Sequence, residues 1–319
     1  MPMLDMPIEK LREYQGCTPC PSDFDAFWDR SLAEMNAIDP APVFTPYPFP
    51  SKIADMFELR FTSMKGASIY AKFARPKHVD GRVPAVLHFH GLSGRGMEWN
   101  ELVALASQGF CVASMDSRGQ GGYSEEAGAR PGTVYSQPFT RGLDGKPEDL
   151  MVRDLFLDTA MLARIVMGLD YVDETRVGVF GGSQGGGLSI ACAALVPSIK
   201  LCAPDEPYMS DYRRVWEMDL DKDAYDGLKY YFRFYDPTHE RENEIFEKLG
   251  YIDIQNLAPR IRAKVFMGTG LRDTICPPST QFAMFNKLTC EKQVDIYPEF
   301  GHEWLYGRPE KVFRFLSEL

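Results

Sequence analysis

The chain has 319 residues, 45% hydrophobic and 13% aromatic, with a formal net charge of -10 at pH 7. That length suits one large α/β domain with a sizeable core, or two smaller ones. The acidic balance, with no basic stripe to neutralise phosphates, excludes a nucleic-acid partner, and no run approaches the roughly 20 apolar residues of a membrane span.

The first ten residues carry neither a basic n-region nor an apolar h-region, so no secretory leader is read and a cytoplasmic location is expected. Seven scattered cysteines, an odd number in apolar surroundings, point to reduced and mostly buried thiols. Cys17-Thr-Pro-Cys20 has C-x-x-C spacing but neither a following βαβ unit nor a second Cys/His pair, so no metal or redox site is expected there. Residues 1–50 read as an arm. Ser22 is its predicted N-cap, and Phe24, Phe27, Trp28, Leu32 and Met35 then recur at helical spacing. The stretch 39–50 is Pro-rich and extended. Phe57–Phe61 and Ser68–Ala74 read as two strands joined by Met64-Lys65-Gly66, an antiparallel pair at a sheet edge.

From Pro84 onward apolar strands alternate with helices. The predicted strands are Ala85–His90, Phe110–Met115, Val177–Phe180, Ile199–Ala203, Lys264–Gly268 and Gln293–Tyr297. The predicted helices are Glu98–Gln108 (closed by Gly109), a long amphipathic Glu148–Leu169, Gln184–Leu195, Pro277–Leu288 and Arg308–Leu319. This order predicts a mostly parallel sheet covered by helices on both faces, with functional groups at the carboxyl ends of the strands. Between 211 and 261 the alternation breaks into an aromatic-rich helical insertion, too short for a core of its own and suited to capping a site or forming a subunit interface. The whole of 1–319 is therefore read as one domain.

Gly181-Gly-Ser183-Gln-Gly185 closes one of those strands and opens a helix, the context in which G-x-S-x-G exposes a nucleophilic serine. A serine hydroxyl needs a base in hydrogen-bond reach, and that base needs a carboxylate behind it. His302 follows the last predicted strand and Asp273 follows the one before, giving the order Ser183, Asp273, His302 of α/β-hydrolases. Asp205 and Glu206 are competing acids. Of the other histidines, His88 reads as a hydrogen-bonded core residue and His239 as a solvated loop residue. Two backbone N–H groups are expected to form the oxyanion hole, those of Gln184 and of Leu92 in the glycine-rich loop 90–96. That loop lacks the lysine and spacing of a P-loop, so no nucleotide, cofactor or metal is expected.

Three motifs, Asp116-Ser-Arg118-Gly-Gln120-Gly-Gly122, Gly181-Gly-Ser-Gln-Gly185 and His302-Glu303, resemble the signatures of the acetyl xylan esterase / cephalosporin C deacetylase group, carbohydrate esterase family 7. The opening Met1–Pro7, Phe24–Trp28, Glu206-Pro-Tyr208 and Cys276–Thr280 are also similar to that group, so the resemblance spans nearly the whole chain. It implies an α/β-hydrolase that deacetylates small esters, with the triad named above and Arg118 and Gln120 supporting the site. It further implies a cytoplasmic hexamer whose internal active sites take acetylated xylo-oligosaccharides and cephalosporin C. Leu92 departs from the tyrosine usual at its position, which removes a phenol from the acyl pocket. The competing readings are a prolyl-oligopeptidase-like serine peptidase and a catalytically silent hydrolase fold used for binding.

Overall fold

The computed structural model describes residues 4–128 and 137–319. Met1, Pro2 and Met3 of the opening motif lie outside them. Strands β1 (Val43–Pro46), β2 (Ala54–Thr62), β3 (Ser68–Pro76), β4 (Val83–Phe89), β5 (Cys111–Met115), β6 (Val172–Gly182), β7 (Leu201–Asp205), β8 (Lys264–Gly270) and β9 (Lys292–Tyr297) form one sheet. Their spatial order is β1-β2-β3-β5-β4-β6-β7-β8-β9. The first three strands are antiparallel, β3 pairs β5 antiparallel, and all later pairs are parallel. The predicted edge pair is real but is not the edge, because β1, from the proline-rich segment, pairs outside it.

The helices among the described residues are α1 (Ile8–Leu11), α2 (Phe24–Asn36), α3 (Trp99–Ala106), α4 (Met151–Met167), α5 (Gln184–Leu195), α6 (Tyr212–Glu217), α7 (Asp226–Tyr235), α8 (Glu242–Gly250), α9 (Ile254–Leu257), α10 (Pro278–Lys287) and α11 (Arg308–Leu316). Parallel strands buried on both faces explain the nearly all-apolar β5, β7 and β8.

Several local expectations change. Helix α2 starts after Asp23, not Ser22, and Asp23 makes no capping bond, since its carboxylate takes Arg30 and Tyr251 instead. Helix α4 is buried on nearly every side rather than amphipathic. The arm helix α2 covers its outer face, with Trp28 stacked 6.0 Å from Phe156 and Arg153 donating to Ser31 Oγ at 2.9 Å. Gly109 lies beyond the capping residue Ser107 and takes a left-handed φ of 88° in the turn that follows. The 211–261 segment is helical and packs into the main core through Tyr212, Tyr225 and Phe246. His239 is not merely solvated, for its ring lies 4.8 Å from that of Phe232 and 5.4 Å from that of Trp216.

All seven cysteines are free. Cys17 Sγ lies 3.5 Å from Asp211, and burial with that carboxylate pushes its thiol up to about 12. Among the described residues no helix is long and apolar enough to cross a membrane.

Candidate active site

Strand β6 runs into α5 through Ser183, whose φ of 55° and ψ of -119° put a non-glycine residue in a strained conformation. The surroundings enforce that strain. A Cβ at Gly185 would lie 1.9 Å from Phe89 O, and one at Gly181 would lie 2.4 Å from the same atom. Only glycine lets the elbow sit this close to the end of β4. Gly182 meets nothing within 4 Å, so that glycine has no steric reason. Backbone bonds clamp the turn from β7: Ser183 N–H donates to Asp205 O at 2.8 Å, and Tyr208 N–H donates to Ser183 O at 3.0 Å.

The turn delivers Ser183 Oγ to 2.9 Å from His302 Nε2, and His302 Nδ1 stands 2.8 Å from Asp273 Oδ2. Asp273 is fully buried, whereas the His302 side chain is 20% exposed. The same carboxylate accepts from the N–H groups of Ile275 and Cys276, both at 2.8 Å, and from Gln281 Nε2 at 3.2 Å. An acceptor-only carboxylate fits that ring of donors, so Nδ1 carries the imidazole proton and Nε2 faces the serine as a base. The competing acids are otherwise placed. Asp205 is bound to Arg308 Nε at 2.6 Å, and Glu206 Oε2 is 3.8 Å from Nδ1, outside hydrogen-bond range.

Asp273, Cys276 and His302 also form a cluster of the size that holds a cation. Burial and the adjacent Asp273 push the Cys276 thiol well up, and Nδ1 is taken by Asp273, so the donor set suits a proton relay better than a metal.

The loop after β4 stands beside the elbow, where a Cβ on Gly91 would lie 4.0 Å from Ser183 Cβ. Leu92 follows Gly91 on that loop, and Gln184 follows Ser183 as the first residue of α5. The loop is pinned at several points. Gln120 Oε1 accepts from Ser93 N–H at 2.8 Å, while its Nε2 donates to Gln184 Oε1 at 2.8 Å, so Gln120 ties one proposed donor segment to the other. Arg118 reaches neither; its fully buried guanidinium grips Asp158 through two bonds of 2.6 Å, bracing the loop against α4.

Sequence reasoning missed three supports. His90 Nε2 accepts from Ser117 N–H at 2.8 Å, which leaves Nδ1–H to donate to Gly91 O at 2.7 Å. Burial lowers its proton affinity and keeps it neutral. Asp116 holds Gly96 N–H at 2.6 Å, and Ser114 Oγ holds Met97 N–H at 2.8 Å. Only Asp116 carried a sequence signal, as the first residue of the Asp116–Gly122 motif; Ser114 lies inside the apolar β5. His88 bonds to the same Ser114 Oγ at 2.9 Å, and burial pushes its imidazole down to about 3, the core role expected of it.

A cleft of about 570 Å³ opens beside the elbow, lined by Ser183, Glu206, His302 and Trp304 together with apolar Phe180 and Leu305.

A sheet parallel from β5 to β9, crossed by a strained serine elbow at its carboxyl edge, defines an α/β-hydrolase, with serine, imidazole and carboxylate in hydrogen-bond sequence. The acetyl xylan esterase (AXE1) family model matches residues 1–319, and the chain belongs to that family. It is 47% identical to acetyl xylan esterase 1 from Thermoanaerobacterium sp. JW/SL YS485, covering 99% of each chain with a TM-score of 0.97. It is 33% identical to the acetyl xylan esterase from Paenibacillus sp. R4, over 98% of this chain and 99% of that one, with a TM-score of 0.93. Among curated proteins it is 28% identical to the acetyl esterase Axe7A of Xylanibacter ruminicola over 92% of this chain, and it spans 65% of that protein's length.

Proposed function

We propose that this protein is a serine esterase that removes acetyl groups from small esters through an acetyl-enzyme on Ser183. The observation that carries this is the continuous path Ser183 Oγ–His302–Asp273, with links of 2.9 and 2.8 Å, at the elbow of a member of the acetyl xylan esterase family.

The chemistry follows from the geometry. Ser183 Oγ attacks the acetyl carbonyl carbon as His302 Nε2 takes its proton. The carbonyl oxygen becomes an oxyanion, met by the N–H groups of Leu92 and Gln184 at the positive end of α5. Asp273 steadies the imidazolium from behind. Collapse expels the alcohol, which leaves with the proton from Nε2. Water then repeats the sequence against the acetyl-serine, giving acetate and free Ser183.

The proposal extends to acetylated xylo-oligosaccharides and cephalosporin C as substrates, a cytoplasmic setting and a hexameric assembly. Seven free thiols suit a reducing compartment. Trp304 and Tyr306, 70% and 78% exposed beside the site, and Phe234, 60% exposed, offer the apolar surface that assembly would cover. Light scattering is expected to give six times the chain mass; a monomer at working concentration contradicts the assembly.

A substrate panel tests the activity. Among p-nitrophenyl esters kcat/KM is expected to be highest for acetyl and to fall towards octanoyl. Acetylated xylobiose and cephalosporin C are expected to release acetate, and an aminoacyl-proline amide to stay intact. Preference for octanoyl, or cleavage of the amide, contradicts the reading.

A further inference from the structure

We propose that Glu206 is a positioning residue of the active site: its carboxyl fixes the His302–Glu303 turn so that the imidazole meets Ser183. This rests on the esterase reading above and deepens it.

Glu206 stands where the three triad loops converge. Its own N–H donates to Gly268 O at 2.9 Å, on the strand that leads to Asp273. The residue before it, Asp205, takes the N–H of Ser183 through its carbonyl at 2.8 Å. Its carboxyl faces the backbone N–H of Glu303, the residue after His302, and its Oε2 lies 3.8 Å from His302 Nδ1. One residue thus touches the nucleophile's clamp, the acid's strand and the base's turn.

The fold bears a cost to keep it there. Glu206 adopts a left-handed φ of 44°, uncommon for a residue with a side chain. It is only 6% exposed, and its Oε1 has no partner among the described residues. Strain and an orphaned buried polar atom at one residue, beside the reacting groups, mark a position held for function rather than for packing.

The carboxyl works uncharged. Burial first, then the neighbouring Asp273, Asp205 and Glu303, push it up to about 9. The facing groups are Asp205 at the end of β7, Asp273 and Cys276 after β8, and His302 and Glu303 after β9, with Arg308 of α11 committed to Asp205. No cation among these contacts Glu206 in exchange for burying a charge, whereas a neutral acid beside Asp273 avoids two adjoining carboxylates. A proton kept in the fold but released from the unfolded chain costs stability, and that cost grows as pH rises from the ordinary carboxylate range to about 9.

The test uses Glu206→Ala and Glu206→Gln in the full chain, assayed on p-nitrophenyl acetate. Alanine removes the carboxyl that faces Glu303 N–H, and kcat is expected to fall by up to about 10²-fold with KM within about twofold. Glutamine keeps a neutral acceptor and is expected to recover most of that loss. The acid limb of its kcat/KM profile should coincide with the wild type, and its Tm should exceed wild type by more at pH 8 than at pH 5. Two results overturn the proposal: an alanine variant as active as wild type, or a glutamine variant as impaired as alanine. An acid limb shifted to lower pH in the glutamine variant also overturns it, since that marks the loss of an anion beside the imidazole. Should the alanine variant not fold, the glutamine profile decides. Wild type and Ser183→Ala run alongside; activity surviving in Ser183→Ala sinks the esterase reading itself, whatever Glu206 does.

Discussion

Replacing Ser183 by alanine is expected to lower kcat on p-nitrophenyl acetate by on the order of 10⁶, while the protein keeps its fold and its KM changes little. The change deletes one oxygen and keeps Cβ, so the elbow retains its clamp from Asp205 O and Tyr208 N–H. What disappears is the atom 2.9 Å from His302 Nε2, and with it the acetyl-enzyme. The loop-borne N–H donors and the imidazole remain, so a residual rate of roughly 10³ over water is expected from them. Steady-state kinetics with circular dichroism as the folding control check it. A loss of tenfold or less would mean that the nucleophile lies elsewhere, or that His302 activates water directly.

The second large effect falls on stability. Arg118 is fully buried, and so are its partners Asp158 and Asp154. Asp158 also accepts from Ser63 Oγ at 2.5 Å. Arg118→Ala leaves Asp158 without the charge that balances it, while Asp154 keeps Lys65 and Arg153, and breaking one side of a buried pair costs about 3–5 kcal/mol. Burial already pushes Asp158 up even with Arg118 in place, so the variant would protonate it rather than bury a bare anion. A drop in Tm of roughly 10 °C is expected, less at acid pH where that protonation is easy. The loop carrying Gln120 would loosen with it, so kcat should fall as well. A Tm within about 1 °C of wild type at pH 7 would show that the pair is replaceable.

How far the sequence reaches can be judged at particular residues. The elbow was legible because glycines, a β-rich run and a helix-forming run each point the same way; helix α5 occupies the predicted Gln184–Leu195. Strand β6 was read too short, because Asp173–Arg176 look like a loop. In the structure those polar residues bond to one another, with Arg176 Nε on Asp173 at 2.7 Å, while the strand passes through a register shift against β4. The Ser22 cap failed because the helix begins one residue later, after Asp23, whose carboxylate is held by Arg30 of the same helix and by distant Tyr251, a contact no local rule registers. Helix α4 looked amphipathic because Arg153, Asp154 and Asp158 are charged; the ion pairs that let them be buried, to Glu34, Lys65 and Arg118, join segments far apart in the chain.

The site divides in the same way. Ser183, Asp273 and His302 could be named from motif and order, since each follows a recognisable strand. Of the supports around them, Arg118 and Gln120 are legible through the motif resemblance, and Asp116 and Glu206 stand in its motifs without their roles. What His90, Asp116 and Glu206 face are backbone groups that only the folded loops bring close.

The most direct measurement is a rapid acid quench of the enzyme with p-nitrophenyl acetate, followed by peptide mass spectrometry. The account predicts one acetyl group, on Ser183, formed in the burst of p-nitrophenol release and absent from His302→Ala on the same timescale. An acetyl group on another side chain, or turnover that proceeds with none, would contradict it.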